Sequence, residues 1–190
     1  MLTATLVSFG VIFVAELGDK SQLMALTFSA RYKAVPVLIG ITIATTVVHA
    51  FSVVAGALLG ASFPTSAINV VAGVAFLGFA AWTLRGDTLD EAESAKAQRT
   101  TRSAIVAASA AFFLAELGDK TMLATITLAT TNGLFGTWLG STVGMVAADA
   151  LAIIVGRQLG ARLPERVIAI GAAVAFFAFG SLLIFEGLSG

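Results

Sequence analysis

One short run of chemically active residues occurs twice in this sequence. Residues 15–20 and residues 115–120 both read Ala-Glu-Leu-Gly-Asp-Lys, and a hydroxyl residue, Ser21 or Thr121, follows each run. Each copy therefore supplies two carboxylates and one ammonium group. On a continuous helix these three side chains lie at positions i, i+3 and i+4, which share one face. Two such helices that cross would bring four carboxylates together.

Four carboxylates and two ammonium groups are suited to binding a divalent cation, because the cation would neutralise their net negative charge. Oxygen ligands favour hard cations such as Mn²⁺, Ca²⁺ or Mg²⁺, whereas sites for Cu⁺ or Zn²⁺ normally include sulfur or imidazole. The predicted metal ligands are Glu16, Asp19, Glu116 and Asp119, and the predicted supporting residues are Lys20, Lys120, Ser21 and Thr121. Each hydroxyl has an alternative role, which is to donate to a backbone carbonyl one turn earlier.

These charges stand in a strongly apolar chain. Of the 190 residues, 58% are hydrophobic and only 12% are charged, and there is no cysteine. Soluble domains do not carry so large an apolar fraction, so the composition excludes a soluble enzyme and a nucleic-acid-binding protein. The absence of cysteine excludes disulfides and thiolate metal sites. The sequence therefore predicts an integral membrane protein.

Six apolar segments are long enough to cross about 30 Å of hydrocarbon. They do not alternate apolar and polar residues as membrane β-strands do, so we predict an all-α fold with six transmembrane helices. The predicted spans are 3–29, 35–61, 67–84, 103–129, 134–156 and 167–185. A polar linker over 88–102 would separate a first half, 1–87, from a second half, 103–190.

The basic residues predict the orientation of these spans. If the spans alternate in direction, the loops on one side hold all nine of the Lys and Arg residues that lie outside the spans, and the loops on the other side hold none. Basic loops remain in the cytoplasm. We therefore expect a multi-pass protein of a bacterial inner membrane with both termini facing outward.

The two halves are related by a constant offset of 100 residues. Besides the charged runs, the offset matches Gly40 with Gly140, Pro64 with Pro164, and Phe76 with Phe176. Because each half contains three predicted spans, the second half must enter the membrane in the opposite direction. Such an inverted repeat is typical of secondary transporters with a binding site at the membrane midplane.

The charged runs lie at the centre of their predicted spans. A charge that faces lipid there costs about 3 kcal/mol, so six charges would cost about 18 kcal/mol, which exceeds the stability of a typical domain. They must therefore face one another, water or a ligand. The simplest alternative to a binding site is an intrahelical Glu–Lys salt bridge in each copy that only fixes packing.

A second matched pair of polar residues lies in the second and fifth predicted spans. His49 and Asp149 correspond under the offset of 100. A proton pathway beside the cation site is one interpretation, since imidazole titrates near neutral pH. An interhelical hydrogen bond is the other.

Twin E-x-G-D-K-[ST] motifs in a six-span chain resemble the cation exporter family that includes bacterial MneA-type manganese exporters and the Golgi manganese and calcium transporters of eukaryotes. The resemblance implies export of Mn²⁺ or Ca²⁺ in exchange for protons, with the acidic residues of both motifs as ligands. The cation would be a transported substrate, and no prosthetic cofactor is expected. The expected partners are the cation, protons and the lipid bilayer, and a homodimer is an open alternative to a monomer.

Other functions remain to be separated from this one. An exporter of a small zwitterionic solute such as an amino acid would use the lysines for the carboxylate of the solute and the acids for its amine. An intramembrane aspartyl protease needs two aspartates that share a proton, and the neighbouring lysines argue against it. A purely structural membrane protein would retain these groups for packing. We predict a transporter and not an enzyme.

Overall fold

The computed structural model of this chain describes residues 1–85, 103–159 and 165–189. The described residues form eight helices, which are α1 (Leu2–Glu16), α2 (Lys20–Arg31), α3 (Ala34–Ser62), α4 (Thr65–Arg85), α5 (Ala104–Glu116), α6 (Lys120–Asn132), α7 (Leu134–Leu159) and α8 (Glu165–Ser189). The predicted polar linker over 88–102 lies outside the described residues.

Four of these helices are long and apolar enough to cross a membrane, namely α3, α4, α7 and α8. The pair α1–α2 forms a fifth candidate span that is bent by 73° at its break, and α5 is a shorter apolar helix. The structure therefore confirms an all-helical membrane protein, with four or five candidate spans in its described part. The predicted count of six is not confirmed.

The two segments that contain the charged motifs differ from the prediction. We expected continuous helices over 3–29 and 103–129, and this was wrong, because each segment breaks within its motif. The break contains a glycine in the left-handed region, Gly18 with φ of 77° and Gly118 with φ of 83°. A residue with a Cβ atom pays a steric cost in that conformation, and glycine does not.

Close glycine contacts repeat between the two halves. A Cβ atom on Gly40 would lie 2.7 Å from the Cβ of Ala108 in α5, and one on Gly140 would lie 3.0 Å from the Cβ of Ser8 in α1. These contacts are equivalent under the offset of 100. Small residues let membrane helices approach closely enough for their backbones to touch. The internal repeat is thus visible in the packing as well as in the sequence.

The two halves interlock and do not form separate bundles. Helix α3 of the first half packs on α5, α6 and α7, while α7 packs on α1 and α2, and α4 packs on α8. Residues that correspond under the offset meet at the centre: the rings of Phe76 and Phe176 are 5.8 Å apart, and the Thr45 hydroxyl lies 3.3 Å from the Met145 sulfur. These contacts mark an approximate twofold axis that relates the halves.

The contact of Gly140 with α1 makes a sharp prediction for stability. A Cβ atom on Gly140 would lie 2.3 Å from the carbonyl oxygen of Thr5. We expect Gly140→Ala to lower the free energy of unfolding by about 1–3 kcal/mol, because backbone must move to admit the methyl group. Thermal unfolding in detergent measures this.

Gly10→Ala is the matched control, since nothing lies within 4 Å of a Cβ atom there. Alanine is the better helix former, so the melting temperature should stay equal or rise. Equal melting temperatures for the two variants would contradict the close packing of α1 on α7.

Candidate cation site

Each motif forms a tight turn between two short helices. Glu16 ends α1 and Asp19 immediately precedes α2. The amide of Asp19 donates to the carbonyl of Glu16 at 3.1 Å, and the amide of Asp119 donates to the carbonyl of Glu116 at 3.2 Å. The glutamate and the aspartate of one motif therefore lie on different helices of a broken pair. The motif sequence encodes this turn through its glycine.

A hydroxyl group ties the two acids of each motif together. Ser21 donates a hydrogen bond to Glu16, and its oxygen lies 3.4 Å from Asp19 Oδ2. Thr121 donates to Glu116 Oε2 at 2.8 Å, and its oxygen lies 3.5 Å from Asp119 Oδ2. The alternative of bonds from these two hydroxyls to a preceding carbonyl is not what the structure shows.

The lysines join one motif to the other. Lys120 pairs with Asp19, and Lys20 Nζ lies 3.4 Å from Asp119 Oδ1. Asp19 occupies the N-cap position of α2, yet its side chain makes no capping hydrogen bond to that helix. The aspartates are thus engaged across the interface between the halves. The bridges are not the intrahelical Glu–Lys pairs that a packing role predicted.

The cluster is buried. Glu16, Asp19 and Glu116 are fully enclosed, and Asp119 and Lys120 are only 3% and 2% exposed. The side chain of Lys20 is more accessible, at 18%.

Within this enclosure the carboxylates are near enough to repel one another electrostatically. Glu16 interacts electrostatically with Glu116, Asp149 and Asp119, and Glu116 interacts with Asp119, Asp19 and Asp149. Among the described residues, Glu16 Oε2, Glu116 Oε1 and both carboxylate oxygens of Asp149 accept no hydrogen bond. Buried acceptors of this kind are costly unless a cation or a proton satisfies them. The arrangement therefore favours binding of positive charge.

His49 and Asp149 have different neighbours in the structure. Asp149 in α7 joins the electrostatic cluster, whereas the Nδ1 atom of His49 in α3 lies 3.5 Å from the hydroxyl of Thr142. His49 is fully buried. Its observed contact fits the interhelical hydrogen bond, and Asp149 is the member of the pair that the structure brings to the motifs.

The carboxylates do not form a ready-made coordination sphere. Within the described ranges, no group of three or more His, Cys, Asp or Glu side chains has the close arrangement that holds a metal ion. Instead, lysine ammonium groups pair with the two aspartates, and hydroxyl groups donate to the two glutamates. The four predicted ligands are therefore gathered and charge-compensated, and their role as ligands stays a prediction.

Comparison with known proteins decides the family. Residues 4–91 and 104–190 match the family described as divalent cation/proton antiporter GDT1. The chain belongs to this antiporter family. It is accordingly a membrane transporter of divalent cations and protons and not an enzyme, and the match favours a cation over a zwitterionic solute. The predicted resemblance is confirmed, and the match in two segments supports a duplicated repeat.

Relatives of the antiporter occur in bacteria and plants. It is 33% identical over 167 residues to a "putative manganese exporter" of Vibrio cholerae, a match that covers 86% of this chain and 82% of the relative. It is 28% identical to GDT1-like protein sll0615 of Synechocystis, with 94% and 95% covered. Protein PAM71 of Arabidopsis thaliana chloroplasts is 30% identical, with 94% of this chain and 56% of the relative covered. No solved structure matches the chain.

Gln22 is a site residue that the sequence analysis missed. Its side-chain oxygen accepts from the amide of Gly18 at 2.9 Å, and its nitrogen donates to the carbonyl of Ala148 at 3.1 Å. It therefore ties the first motif turn of the antiporter to α7 beside Asp149. The equivalent residue is Met122, whose sulfur lies 3.2 Å from the amide nitrogen of Gly118. This Gln–Met difference directly after the repeated motif was the available signal.

The bridge between Lys120 and Asp19 makes the second prediction. Lys120→Met removes the ammonium partner of a buried carboxylate, and we expect it to lower the free energy of unfolding by about 3 kcal/mol. The double variant Asp19→Asn/Lys120→Met removes both charges and should recover most of that loss. Chemical denaturation in detergent of the wild type, both single variants and the double variant measures the coupling. Strictly additive effects would contradict the bridge.

Proposed function

We propose that this antiporter exports Mn²⁺ or Ca²⁺ from the cytoplasm in exchange for protons, and that the carboxylates of both motifs bind the cation. The observation that carries the proposal is the meeting of the two motifs through crossed Lys–Asp bridges inside an apolar protein. The family supports the exchange of a divalent cation for protons, and the name of the Vibrio cholerae relative supports manganese.

The donor atoms of the cluster suit a hard cation. The side chains supply carboxylate oxygens from Glu16, Asp19, Glu116 and Asp119 and hydroxyl oxygens from Ser21 and Thr121. Mn²⁺ and Ca²⁺ accept such all-oxygen sets. With Asp149 included, the formal charge is minus three, so a divalent cation leaves one negative charge that a proton neutralises.

Cation binding requires the lysines to leave the aspartates. Lys120 and Lys20 compensate the charge of Asp19 and Asp119 across the interface. In this proposal each ammonium group takes the place of positive charge when no cation is bound, and an incoming divalent cation displaces it. The lysines thereby keep the acids from repelling one another during the return step.

Competition between protons and cations for the same oxygens supplies the coupling. Metal ligands bind in their deprotonated form, so metal binding releases protons. The acceptors available to a proton are the oxygens of Glu16, Glu116 and Asp149 that accept no hydrogen bond within the described chain. Exchange of two protons for one divalent cation would be electroneutral.

The proposed direction is outward from the cytoplasm. Arg31, Lys33 and Arg85 are exposed at or next to helix ends that the alternation of spans assigns to one side. Basic residues mark the cytoplasmic side. Both termini would then face outward, as would the loop between α6 and α7.

Flux into proteoliposomes with an imposed proton gradient tests the proposal. We expect uptake of Mn²⁺ or Ca²⁺ that requires the gradient and falls by about two orders of magnitude in Glu16→Gln and in Asp119→Asn, because each change removes a binding charge at nearly constant volume. The matched control is Glu186→Gln, which makes the same change at an exposed position of α8. Absence of flux of either ion in the wild type would refute the proposal.

The pH on the side from which the cation is loaded provides a separate test. Protons compete with the cation for carboxylates, so the apparent KM for Mn²⁺ should rise as that side becomes more acidic and fall as it becomes more alkaline. Initial rates at several pH values, with the pH difference across the membrane held constant, measure this. A KM that does not change with pH would show that protons and cations do not share the site.

A further inference from the structure

Helices α4 and α8 form one closely packed unit. The rings of Phe76 and Phe179 are 4.9 Å apart in an edge-on contact. A Cβ atom on Gly73 would lie 2.6 Å from the carbonyl oxygen of Gly180, and one on Gly180 would lie 2.7 Å from that of Gly73. Backbones that touch in this way cannot slide past each other without loss of the contact. The α4–α8 pair therefore moves as a single body if it moves.

This pair contacts the rest of the protein unequally. Helix α8 packs on α1, and α4 packs on α6. Under the offset of 100, the equivalent contacts would be those of α4 with α5 and of α8 with α2. In the described part of the chain, the contact of α4 with α5 and that of α8 with α2 are both much smaller than the contacts of α8 with α1 and of α4 with α6. The contacts of the α4–α8 pair thus depart from the twofold symmetry, as does the more extensive packing of α3 on α6 than of α7 on α2.

Burial of equivalent residues records the same asymmetry. Val14 and Leu17, at the end of α1, are partly buried, whereas Leu114 and Leu117, at the end of α5, are 51% and 46% exposed. The two helix ends that carry the same charged motif therefore differ in how far neighbouring helices bury them. The end of α1 lies beside α8, whereas among the described residues the end of α5 has no contact of comparable extent with α4.

The two contacted helices lie on the same side of the motifs. Helices α1 and α6 both run between a motif and the side that we assign to the outside, while α2 and α5 both run between a motif and the basic side. The α4–α8 pair consequently covers the outer half. Lys20, which begins α2, is also more accessible than Lys120, which begins α6.

We infer that the α4–α8 pair is the moving element of transport, and that it tilts between two positions related by the approximate twofold axis. In the observed position α8 lies on α1 and α4 on α6, which closes the outer side. In the other position α4 lies on α5 and α8 on α2, which closes the cytoplasmic side. The halves of the sequence do not rock against each other, since each contributes one helix to the moving pair. The inference rests on transport by this chain and not on which cation is carried.

Cross-linking tests this directly, because the sequence contains no cysteine. Leu6→Cys/Leu182→Cys places thiols on α1 and α8, at two residues that border the same cavity. Trp82→Cys/Val106→Cys is its equivalent under the offset of 100 and joins α4 to α5. Ser66→Cys/Leu188→Cys is the control within the moving pair, since Ser66 lies against Gly187. A bifunctional thiosulfonate reagent that a thiol can cleave would be applied in proteoliposomes.

The expected pattern is specific to this motion. The Leu6/Leu182 pair should cross-link readily at rest, and the Trp82/Val106 pair should cross-link during exposure to Mn²⁺ and a proton gradient. Each cross-link should reduce Mn²⁺ flux by about tenfold or more, with recovery after cleavage, because alternation between two states is blocked. The control pair, Ser66→Cys/Leu188→Cys, should also cross-link, and the cross-linked protein should retain nearly full Mn²⁺ flux.

Full flux with either of the first two pairs cross-linked would overturn the inference, as would failure of Trp82/Val106 to cross-link under any gradient of Mn²⁺ or Ca²⁺. Loss of flux in the cross-linked control would show that α4 and α8 move apart, which would also overturn it. If the wild type carries neither cation, the proposed function fails, while the cross-linking yields still decide whether both positions exist.

Discussion

Charge buried in an apolar protein is the constraint on which this structure depends. Seven of the 22 charged side chains of this chain lie in the two motifs and at Asp149. An unpaired charge at such a position would cost several kcal/mol. The chain meets that cost by crossing its lysines, so that each repeat supplies the ammonium group for the aspartate of the other. Neither repeat alone could bury its motif in this way, because the lysine that neutralises its aspartate belongs to the other repeat.

The glycine turn makes this crossing possible. An aspartate within a continuous helix would share a face with its neighbouring lysine, and the two would pair locally. Gly18 and Gly118 interrupt the helix, so each aspartate occupies the N-cap position of a new helix while its side chain makes no capping hydrogen bond. Its carboxylate is then available to the opposite repeat. Broken helices at the midplane are a recurrent means of placing charged and backbone groups at an ion site.

Small residues hold the frame around the site. Gly40 and Gly140 let α3 and α7 touch the broken helices of the opposite half, at positions equivalent under the repeat. At these two positions the frame is tightly packed in the same way in both halves. Within the described residues, the α4–α8 pair contacts this frame mainly through α1 and α6, and apolar cavities lie between the pair and the frame. A tightly packed frame beside an asymmetrically placed helix pair is compatible with the movement inferred above.

The membrane location, the helical class and the internal repeat could be predicted from the sequence, as could the meeting of the acidic residues that make up the candidate site. Hydropathy, the offset of 100 and the duplicated motif depend only on the order of residues in the chain. They can therefore be recognised without knowledge of the tertiary contacts. The ion-pair partners of Lys20 and Lys120 could not be predicted from the sequence. An i, i+4 pair within one helix and a pair between the two repeats both join a lysine to an acidic residue. The break at Gly18 was likewise hidden, since glycine permits a positive φ without requiring it.

Only the tertiary structure decided which further residues lie at the candidate site. It brought Asp149 to the motifs and left its counterpart His49 against Thr142, although the repeat treats the two alike. It also gave Gln22 a role that Met122 does not share. The physical reason is that the sequence repeats are equivalent, whereas one folded state places them in unequal surroundings. Contacts between distant segments, and not local propensity, separate two copies of the same motif.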